Sequence, residues 1–304
     1  MKYSLAELGQ ASNARIEYID AATEFVTGIQ TDSRKVVEGD LFVAIKGEKF
    51  DGHDFIEEAF ENGAVAAMVS TPIEELSLLV EDTLVGLGKL AKYHRHNLNA
   101  KVIGITGSSG KTSTKDLLAA TLAQFGKTIA PSGSFNNEIG LPNTILSAND
   151  STEFLVLEMG MRGLGHIDYL CEISAPDVAA VLNVGSAHME LLGSREAIAT
   201  AKGEIFSRLT NSGTAVLLND DPVVANLSIP NSVKRISFGQ NESSDLRIAD
   251  LNLDSSAHPS FKALYGEQTA DLKLNSVGEH QAMNAAAVIA ICVGLGLDFQ
   301  EVCK

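Results

Sequence analysis

The chain is 304 residues long, enough for two domains with separate cores, and carries a net charge of −16. That charge argues against a broad nucleic-acid surface, which must neutralise many phosphates with basic groups; a single nucleotide needs only a local lysine and a helix end. No basic flank followed by an apolar core opens the sequence and no apolar run reaches membrane-spanning length, so a cytoplasmic protein without membrane insertion is expected. Cys171, Cys292 and Cys303 are few, widely separated and odd in number, and read as reduced, buried thiols.

Residues 1–98 read as a small α/β domain. Asp40-Leu41-Phe42-Val43-Ala44-Ile45 follows a Glu-Gly turn with the apolar run of a strand. Phe55, Ile56, Ala59 and Phe60 recur at helical spacing between His53 and Asn62, Gly63 closes that helix, and Ala64 to Val69 is another strand. A helix from Thr83 to about His96 leads into the polar run Arg95-His96-Asn97-Leu98-Asn99, which marks the boundary with a second domain over residues 99–304.

The second domain opens on Val102-Ile103-Gly104-Ile105-Thr106-Gly107-Ser108-Ser109-Gly110-Lys111-Thr112: a β-branched strand, a Gly/Ser loop, then a helix with Leu117, Leu118, Leu122 and Phe125 on its apolar face. Glycines let the backbone approach an anion, consecutive N–H groups form a nest, and the helix N-terminus adds partial positive charge. Lys111 is placed to reach outer phosphates and the Thr112 hydroxyl to hold magnesium. The nearest earlier glycine, Gly104, stands six residues before Gly110, so the G-x-x-x-x-G-K-[ST] pattern is missed by one residue while its mechanism is kept. The bland reading of the same residues is a plain strand-to-helix turn.

Strands at Phe154–Glu158, Val178–Val184 and Ala215–Leu218 then alternate with helices near His166–Cys171 and over Ser194–Leu209. The alternation implies a mostly parallel sheet covered on both faces, with ligands at the carboxyl ends of its strands. Leu246–Leu253, Phe261–Tyr265 and Ala270–Leu274 break it and read as short antiparallel strands; Gln281 to Val293 is an alanine-rich helix, and Asp298 to Lys304 begins a further amphipathic segment. Glu158, then Asn183 with His188, then Asn219-Asp220-Asp221 each follow a strand and so converge on Lys111-Thr112, where a carboxylate can ligate magnesium. Singly, Glu158 reads equally as a solvated strand end and His188 as a satisfied surface histidine. Lys202, beside the stripe of Ile198, Ala201, Ile205 and Leu209, reads by itself as a solvated helix lysine.

Longer patterns occur in order: Gly104-x-Thr106-Gly107-x-x-Gly110-Lys111-Thr112, Asn136-Asn137-x-Ile139-Gly140-x-Pro142, Glu158-Met159-Gly160 and Asn183-x4-His188-x4-Gly193-Ser194. Ala201-Lys202-x-Glu204-Ile205, Asn219-x-Asp221 and Gly278-x-His280-x3-Asn284-Ala285 follow them, and Asp32-Ser33-Arg34, Gly39-Asp40-Leu41-Phe42-Val43-Ala44 and Asp51-Gly52-His53 precede them. On these motifs the chain resembles the Mur ligase family of cell-wall peptide synthetases over nearly its whole length. The asparagine pair and the Glu-Met-Gly triplet make it most similar to the branch that joins D-alanyl-D-alanine to UDP-N-acetylmuramoyl-tripeptide.

The resemblance implies an α/β UDP-sugar-binding domain, a central P-loop ATPase-like domain, and a third domain beyond the point where this sequence stops. It implies that ATP, with Mg2+, phosphorylates the tripeptide's terminal carboxylate, and that the amine of D-alanyl-D-alanine then displaces phosphate from the acyl phosphate. Transfer between two anions calls for positive charge on both. By the same resemblance Thr106, Gly107, Ser108, Ser109, Gly110, Lys111 and Thr112, with Asn137, His280 and Asn284, bind the nucleotide. Thr112, Glu158, His188 and a carbamate formed on Lys202 from CO2 hold the metal, and Ser33, Arg34, Asn136 and Asn137 meet the UDP-muramoyl substrate. Lys111, Glu158, His188 and Lys202 carry the catalysis. Arg34 reads equally as a structural ion pair. The family commonly has another asparagine at the position of Ser134, where a hydroxyl can still hydrogen-bond.

The expectation is a monomer that binds nucleotide and UDP-sugar without appreciable turnover, since closure of a third domain excludes water from the acyl phosphate. A sister ligase adding a diamino acid to UDP-MurNAc-dipeptide, a folylpolyglutamate-type synthetase and a non-catalytic binding module stay open as alternatives. A guanine-nucleotide switch is disfavoured because no Asn-Lys-x-Asp motif is present.

Overall fold

Short apolar strands bounded by glycine and aspartate turns alternate with helices throughout the computed structural model, which describes residues 1–17, 24–47, 50–185 and 189–304. They form two units, Met1–Asn99 with Glu138–Ser151, and Ala100–Asn137 with Thr152–Lys304. No helix among the described residues is long and apolar enough to cross a membrane.

The first unit is built on a five-stranded sheet of β1 (Arg15–Glu17), β2 (Gly28–Gln30), β3 (Asp40–Val43), β4 (Ala66–Val69) and β5 (Ser77–Leu79), in the order β1-β5-β4-β3-β2. Only β1 runs antiparallel to its neighbour. The central β3 and β4 are buried throughout, and Phe42, Ala44, Ala67 and Val69 pack with Ile56 and Ala59 of α2 (Ile56–Glu61). Helix α1 (Leu5–Ser12) starts on a reciprocal Ser4–Glu7 cap, and α3 (Thr83–His96) on the Asp82 carboxylate, which accepts from the Leu84 and Val85 N–H groups. The division at residues 98 and 99 does not anticipate that Glu138–Ser151 belongs to this unit. Its helix α5 (Gly140–Leu146) packs on α3, His94 donates to Ala148 O at 2.9 Å, and Asn143 Nδ2 donates to Thr31 Oγ1 at 2.9 Å.

The second unit carries a nine-stranded sheet. Its strands are β6 (Lys101–Thr106), β7 (Thr128–Ile129), β8 (Phe154–Glu158), β9 (Val178–Val181), β10 (Thr214–Leu218), β11 (Lys234–Gly239), β12 (Leu246–Leu253), β13 (Pro259–Tyr265) and β14 (Gln268–Lys273). The order is β14-β13-β12-β11-β10-β9-β6-β8-β7, parallel from β7 to β12 and antiparallel from β12 to β14. Covered on both faces, the inner strands β8 and β9 are buried throughout. Helices α4 (Lys111–Leu122) and α8 (His280–Gly294) contribute Leu118, Leu122, Ala286 and Ile289 to the core that holds Ile103, Ile105 and Val156. Helix α6 (His166–Ser174) and α7 (Arg195–Gly203) complete the elements needed for the site.

The expected elements are present with shifted ends, each for a local reason. Strand β9 stops at Val181 because Leu182 N–H bonds Thr106 O and Asn183 O accepts from Ser108 N–H, turning the chain toward the glycine loop. Helix α7 stops at Gly203, and the Glu204 carboxylate instead accepts the N–H groups of Gly165 at 2.6 Å and Asp168 at 3.2 Å at the start of α6. The antiparallel strands are not a separate sheet: β12 pairs parallel with β11 over two residues before β13 returns along it. Strand β11 has no counterpart in the sequence reading, since Lys234, Arg235 and Ser237 interrupt its buried Ile236 and Phe238.

Candidate functional site

The site grows from the loop between β6 and α4. Gly110 sits at φ +78° as the N-cap of α4, and no side chain caps that helix, so its first N–H groups face outward as a ready anion site. A Cβ on Gly110 would come within 2.7 Å of Asn284 Oδ1, so a left-handed backbone and a crowded approach both select glycine here. Asn183 braces the other end of the loop. Its Oδ1 accepts from the N–H groups of Ser108 and Ser109, each at 3.0 Å, and its Nδ2 donates to Ser109 O at 3.0 Å. Ser108 Oγ in turn accepts from Gly185 N–H at 2.8 Å. Lys111 folds back on the loop, donating to Gly107 O at 2.8 Å, while Thr106 Oγ1 donates to Met159 O at 2.9 Å.

Strand β8 delivers Glu158 to the same place. Its side chain is 1% exposed, so it is no solvated strand end. Thr112 Oγ1 donates to Glu158 Oε2 at 3.1 Å, and Asn136 Nδ2 donates to Oε1 at 2.7 Å, which fixes the plane of the carboxylate. Ser134 Oγ lies 3.3 Å from Thr112 Oγ1, so the hydroxyl that replaces the family's asparagine does engage the cluster. Asn137 follows in the same loop. A Cβ on Gly160 would meet Asn136 Oδ1 at 2.8 Å, which accounts for glycine after Glu158-Met159.

Two lysines give the site its charge. Burial lowers the Lys111 pKa, and the nearby Glu158 carboxylate partly opposes the shift. Lys202, on the last turn of α7, is 2% exposed rather than solvated. Its pKa is pushed down to about 8, chiefly by burial and then by the charge of Lys111. Among the described residues no hydrogen bond or ion pair reaches its ammonium. Lys111, Lys202, Glu158, Thr112 and Asn136 therefore form one electrostatic neighbourhood at the carboxyl ends of β6 and β8. His188 lies outside the described residues.

Beside the loop a cleft of about 360 Å3 is lined by Ser109, Gly110, Asn183, Leu218, Phe238, His280, Met283 and Asn284, among others. His280 opens α8 at its rim, and the buried Asn284 is oriented by Gln281 Oε1, which accepts from its Nδ2 at 3.0 Å. The cleft thus runs from the phosphate loop to an apolar floor, a shape and polarity suited to a nucleoside.

In the first unit, buried Ser33 donates to Glu58 Oε2 at 2.6 Å. Exposed Arg34 forms a two-pronged ion pair with Asp32, Nε at 2.8 Å and a terminal nitrogen at 2.9 Å, which matches the structural reading of that residue. The Asp51-Gly52-His53 motif is also structural: Asp51 Oδ1 bonds His53 Nδ1 at 2.7 Å, leaving Nε2 to accept the Ser70 N–H at 3.0 Å.

Sequence reasoning left three contributors without a role. Asn183 is the brace just described. Arg195 donates to Val184 O at 2.9 Å and pairs with Asp221 at 2.5 Å, tying the segment after β9 to the end of β10. Lys115 is 1% exposed and donates to Pro131 O at 2.7 Å and Gly133 O at 3.2 Å. A signal for it exists in the sequence: Lys115, Leu118 and Leu122 share the i, i+3, i+7 spacing of a buried helix face, so a lysine occupies a core position.

Among the described residues no three His, Cys, Asp or Glu side chains gather to hold a metal. The oxygens of Thr112 and Glu158 instead suit a hard cation that keeps several waters, and the uncapped α4 with its glycine cradle suits phosphates. The chain as a whole is similar to known proteins. A family model described as the Mur ligase middle domain matches residues 105–292, and one described as the Mur ligase family, catalytic domain, matches residues 25–119. The UDP-N-acetylmuramoyl-tripeptide--D-alanyl-D-alanine ligase of Bacillus subtilis is 38% identical over 99% of this chain, and that of Escherichia coli 37% over 96%. In both cases the chain spans 65% of the relative's length. The crystal structure of MurF from Acinetobacter baumannii superposes with a TM-score of 0.93 at 32% identity, covering 100% of this chain and 67% of that one. MurF ligase from Thermotoga maritima, solved in complex with ADP, gives 0.80 at 37% identity over 91% of this chain and 65% of that one. With the middle-domain match covering more than half of its residues, and the phosphate loop, Glu158 and Lys202 inside that match, the chain belongs to the Mur ligase family.

Proposed function

We propose that this chain provides the UDP-sugar-binding and nucleotide-binding parts of an ATP-dependent amide ligase. The reaction would join D-alanyl-D-alanine to UDP-N-acetylmuramoyl-tripeptide through an acyl phosphate, releasing ADP and phosphate. Relatives carrying that name at 37 to 38% identity support the substrate pair. The observation that carries the chemistry is the cluster in which Glu158, held by Asn136 and Thr112, adjoins Lys111 and an uncapped helix start.

The phosphates of the nucleotide would lie on the outward N–H groups of α4, with the Lys111 ammonium exchanging the Gly107 carbonyl for a phosphate oxygen. Thr112 and Glu158 would hold Mg2+, which when bound neutralises charge that builds on the transferring group. Asn136 keeps the Glu158 carboxylate turned toward Thr112, and Asn137, by its match to the family motif, would meet the reacting substrate. His280 and Asn284 bound the nucleoside end of the cleft.

Lys202 suits a carbamate. Only the neutral amine adds CO2, and a pKa near 8 makes the amine far more abundant at neutral pH than on an ordinary lysine. The product would replace a buried cation by an anionic oxygen pair beside Lys111 and serve, with His188, a second metal position. Intact mass measured with and without bicarbonate checks this through a gain of one CO2 that Lys202→Arg abolishes.

Calorimetry of the chain with ADP, with and without Mg2+, and with UDP-MurNAc-tripeptide tests the binding roles. Phosphate release in the full-length protein tests the reaction. Release with D-alanyl-D-alanine, and none with a diamino acid and UDP-MurNAc-dipeptide, is expected; the reverse pattern would overturn the substrate assignment.

A further inference from the structure

Lys115 takes no part in the chemistry proposed above, yet it is among the most deeply buried polar side chains of the second unit. It stands one turn after Lys111 on α4 and donates to Pro131 O at 2.7 Å and Gly133 O at 3.2 Å, while the exposed Asp116 carboxylate pairs with its charge at 2.8 Å. Both hydrogen-bond acceptors are backbone carbonyls of a loop without regular structure, in which Gly133 lies at φ +75°. That loop leads directly into Ser134, which faces Thr112, and Asn136, which holds Glu158. Asn136 also accepts, through its backbone carbonyl, the Gly160 N–H at 2.8 Å, so the loop is pinned at both ends, by Lys115 before Ser134 and by Gly160 after it.

We infer that Lys115 is a positioning residue for the metal cluster: it anchors residues 131–133 so that Asn136 holds the Glu158 carboxylate in the orientation that, with Thr112, takes a divalent cation. The inference rests on the reading of Thr112 and Glu158 as the Mg2+ site. A buried ammonium fixes carbonyls far more rigidly than a solvated one because no water competes for them. Removing it leaves Pro131 O and Gly133 O without their donor, and the loop then relaxes toward solvent, taking Asn136 with it. Lys115 touches neither the metal position nor the phosphate nest, so nucleotide binding in the absence of metal does not depend on it.

The test is a thermodynamic cycle read by calorimetry, with ADP as the probe, without and with saturating Mg2+, on the chain and three variants. In the unsubstituted chain Mg2+ tightens ADP binding. In Lys115→Met that gain shrinks by about tenfold while affinity without Mg2+ changes by less than about twofold. Asn136→Ala shrinks it by a similar factor, and Lys115→Met combined with Asn136→Ala adds less than about twofold to either, because both act through one loop. Additive losses, or a loss of metal-free affinity equal to that of metal-linked affinity, would show that Lys115 only stabilises the unit and would overturn the inference. No Mg2+ gain in the unsubstituted chain would instead remove the metal reading itself; an intact gain in Lys115→Met removes this inference alone. If Lys115→Met does not unfold cooperatively, Lys115→Gln, which keeps an N–H donor, is read by the same criteria.

Discussion

Two buried bases, His94 in the first unit and Lys202 in the second, each 2% exposed, show how differently this protein treats polar groups that it removes from water. Burial lowers the pKa of both. His94 is completed on both sides: Nε2 donates to Ala148 O at 2.9 Å, which makes Nδ1 the acceptor for the Tyr3 hydroxyl at 2.9 Å. It is a neutral connector inside a finished structure. Lys202 has no such partners among the described residues and faces the positive charge of Lys111 besides. An unpaired ammonium in the interior opposes folding, so its presence calls for an anionic partner, from substrate, or for its conversion by CO2 to a carbamate. The contrast teaches that burial alone does not define what a base does here: His94 is completed by partners within its unit, whereas Lys202 is left beside the charge of Lys111.

The largest effect that would sharpen this contrast is on turnover. Lys111→Met should cut phosphate release by the full-length protein by about a thousandfold or more, since it removes the mobile positive charge of the phosphate loop, with cooperative unfolding retained. Next come opposite signs in stability. His94→Ala leaves the Tyr3 hydroxyl and Ala148 carbonyl unpaired and should cost about 2 to 3 kcal/mol in denaturant unfolding. Lys202→Met, measured without bicarbonate or metal, should stabilise by about 1 to 3 kcal/mol while abolishing turnover. Equal destabilisation by both would break the comparison.

The pH dependences follow, with signs set by linkage. Below about pH 6.5 the unfolded chain binds a proton at His94 that the folded chain resists, so stability falls with falling pH, by at most about 1.4 kcal/mol per unit from this group, and His94→Gln removes that component. For Lys202 the window is higher. Between about 8 and the ordinary lysine value of 10.5 the unfolded chain holds the extra proton, so folded stability rises with pH and the advantage of Lys202→Met should shrink across that range. The smallest expected change is Ser134→Asn, within about 0.5 kcal/mol of the parent, because either side chain can bond the Thr112 hydroxyl at this exposed position.

Much of the second unit is legible in the sequence because its central strands are continuous apolar runs ending in polar motifs. Phe154–Glu158 has the observed bounds, and the residues after β6 and β8 do meet. What is not legible depends on tertiary acceptors. Lys202 reads as solvated because helical spacing places it only at the margin of an apolar stripe, and only the packed structure encloses it. Asn183 is legible as a strand-end residue near the phosphate loop, but its bracing role is not, because its partners are backbone atoms, which leave no trace in residue type; Lys115 shows in the sequence only as a lysine at a core helix position. Glu138–Ser151 follows the asparagine loop in sequence yet belongs to the first unit, where its helix α5, with Leu141 and Ile145 buried, packs on α3.

The Asn183 brace has a kinetic corollary. Because one side-chain amide already holds Ser108 and Ser109 in register, an incoming nucleotide meets a receptor whose shape was set during folding, and spends none of its attraction on ordering that turn. Capture should therefore proceed as a single diffusive encounter with no slow isomerisation phase, leaving residence time to be set by how many contacts must break together.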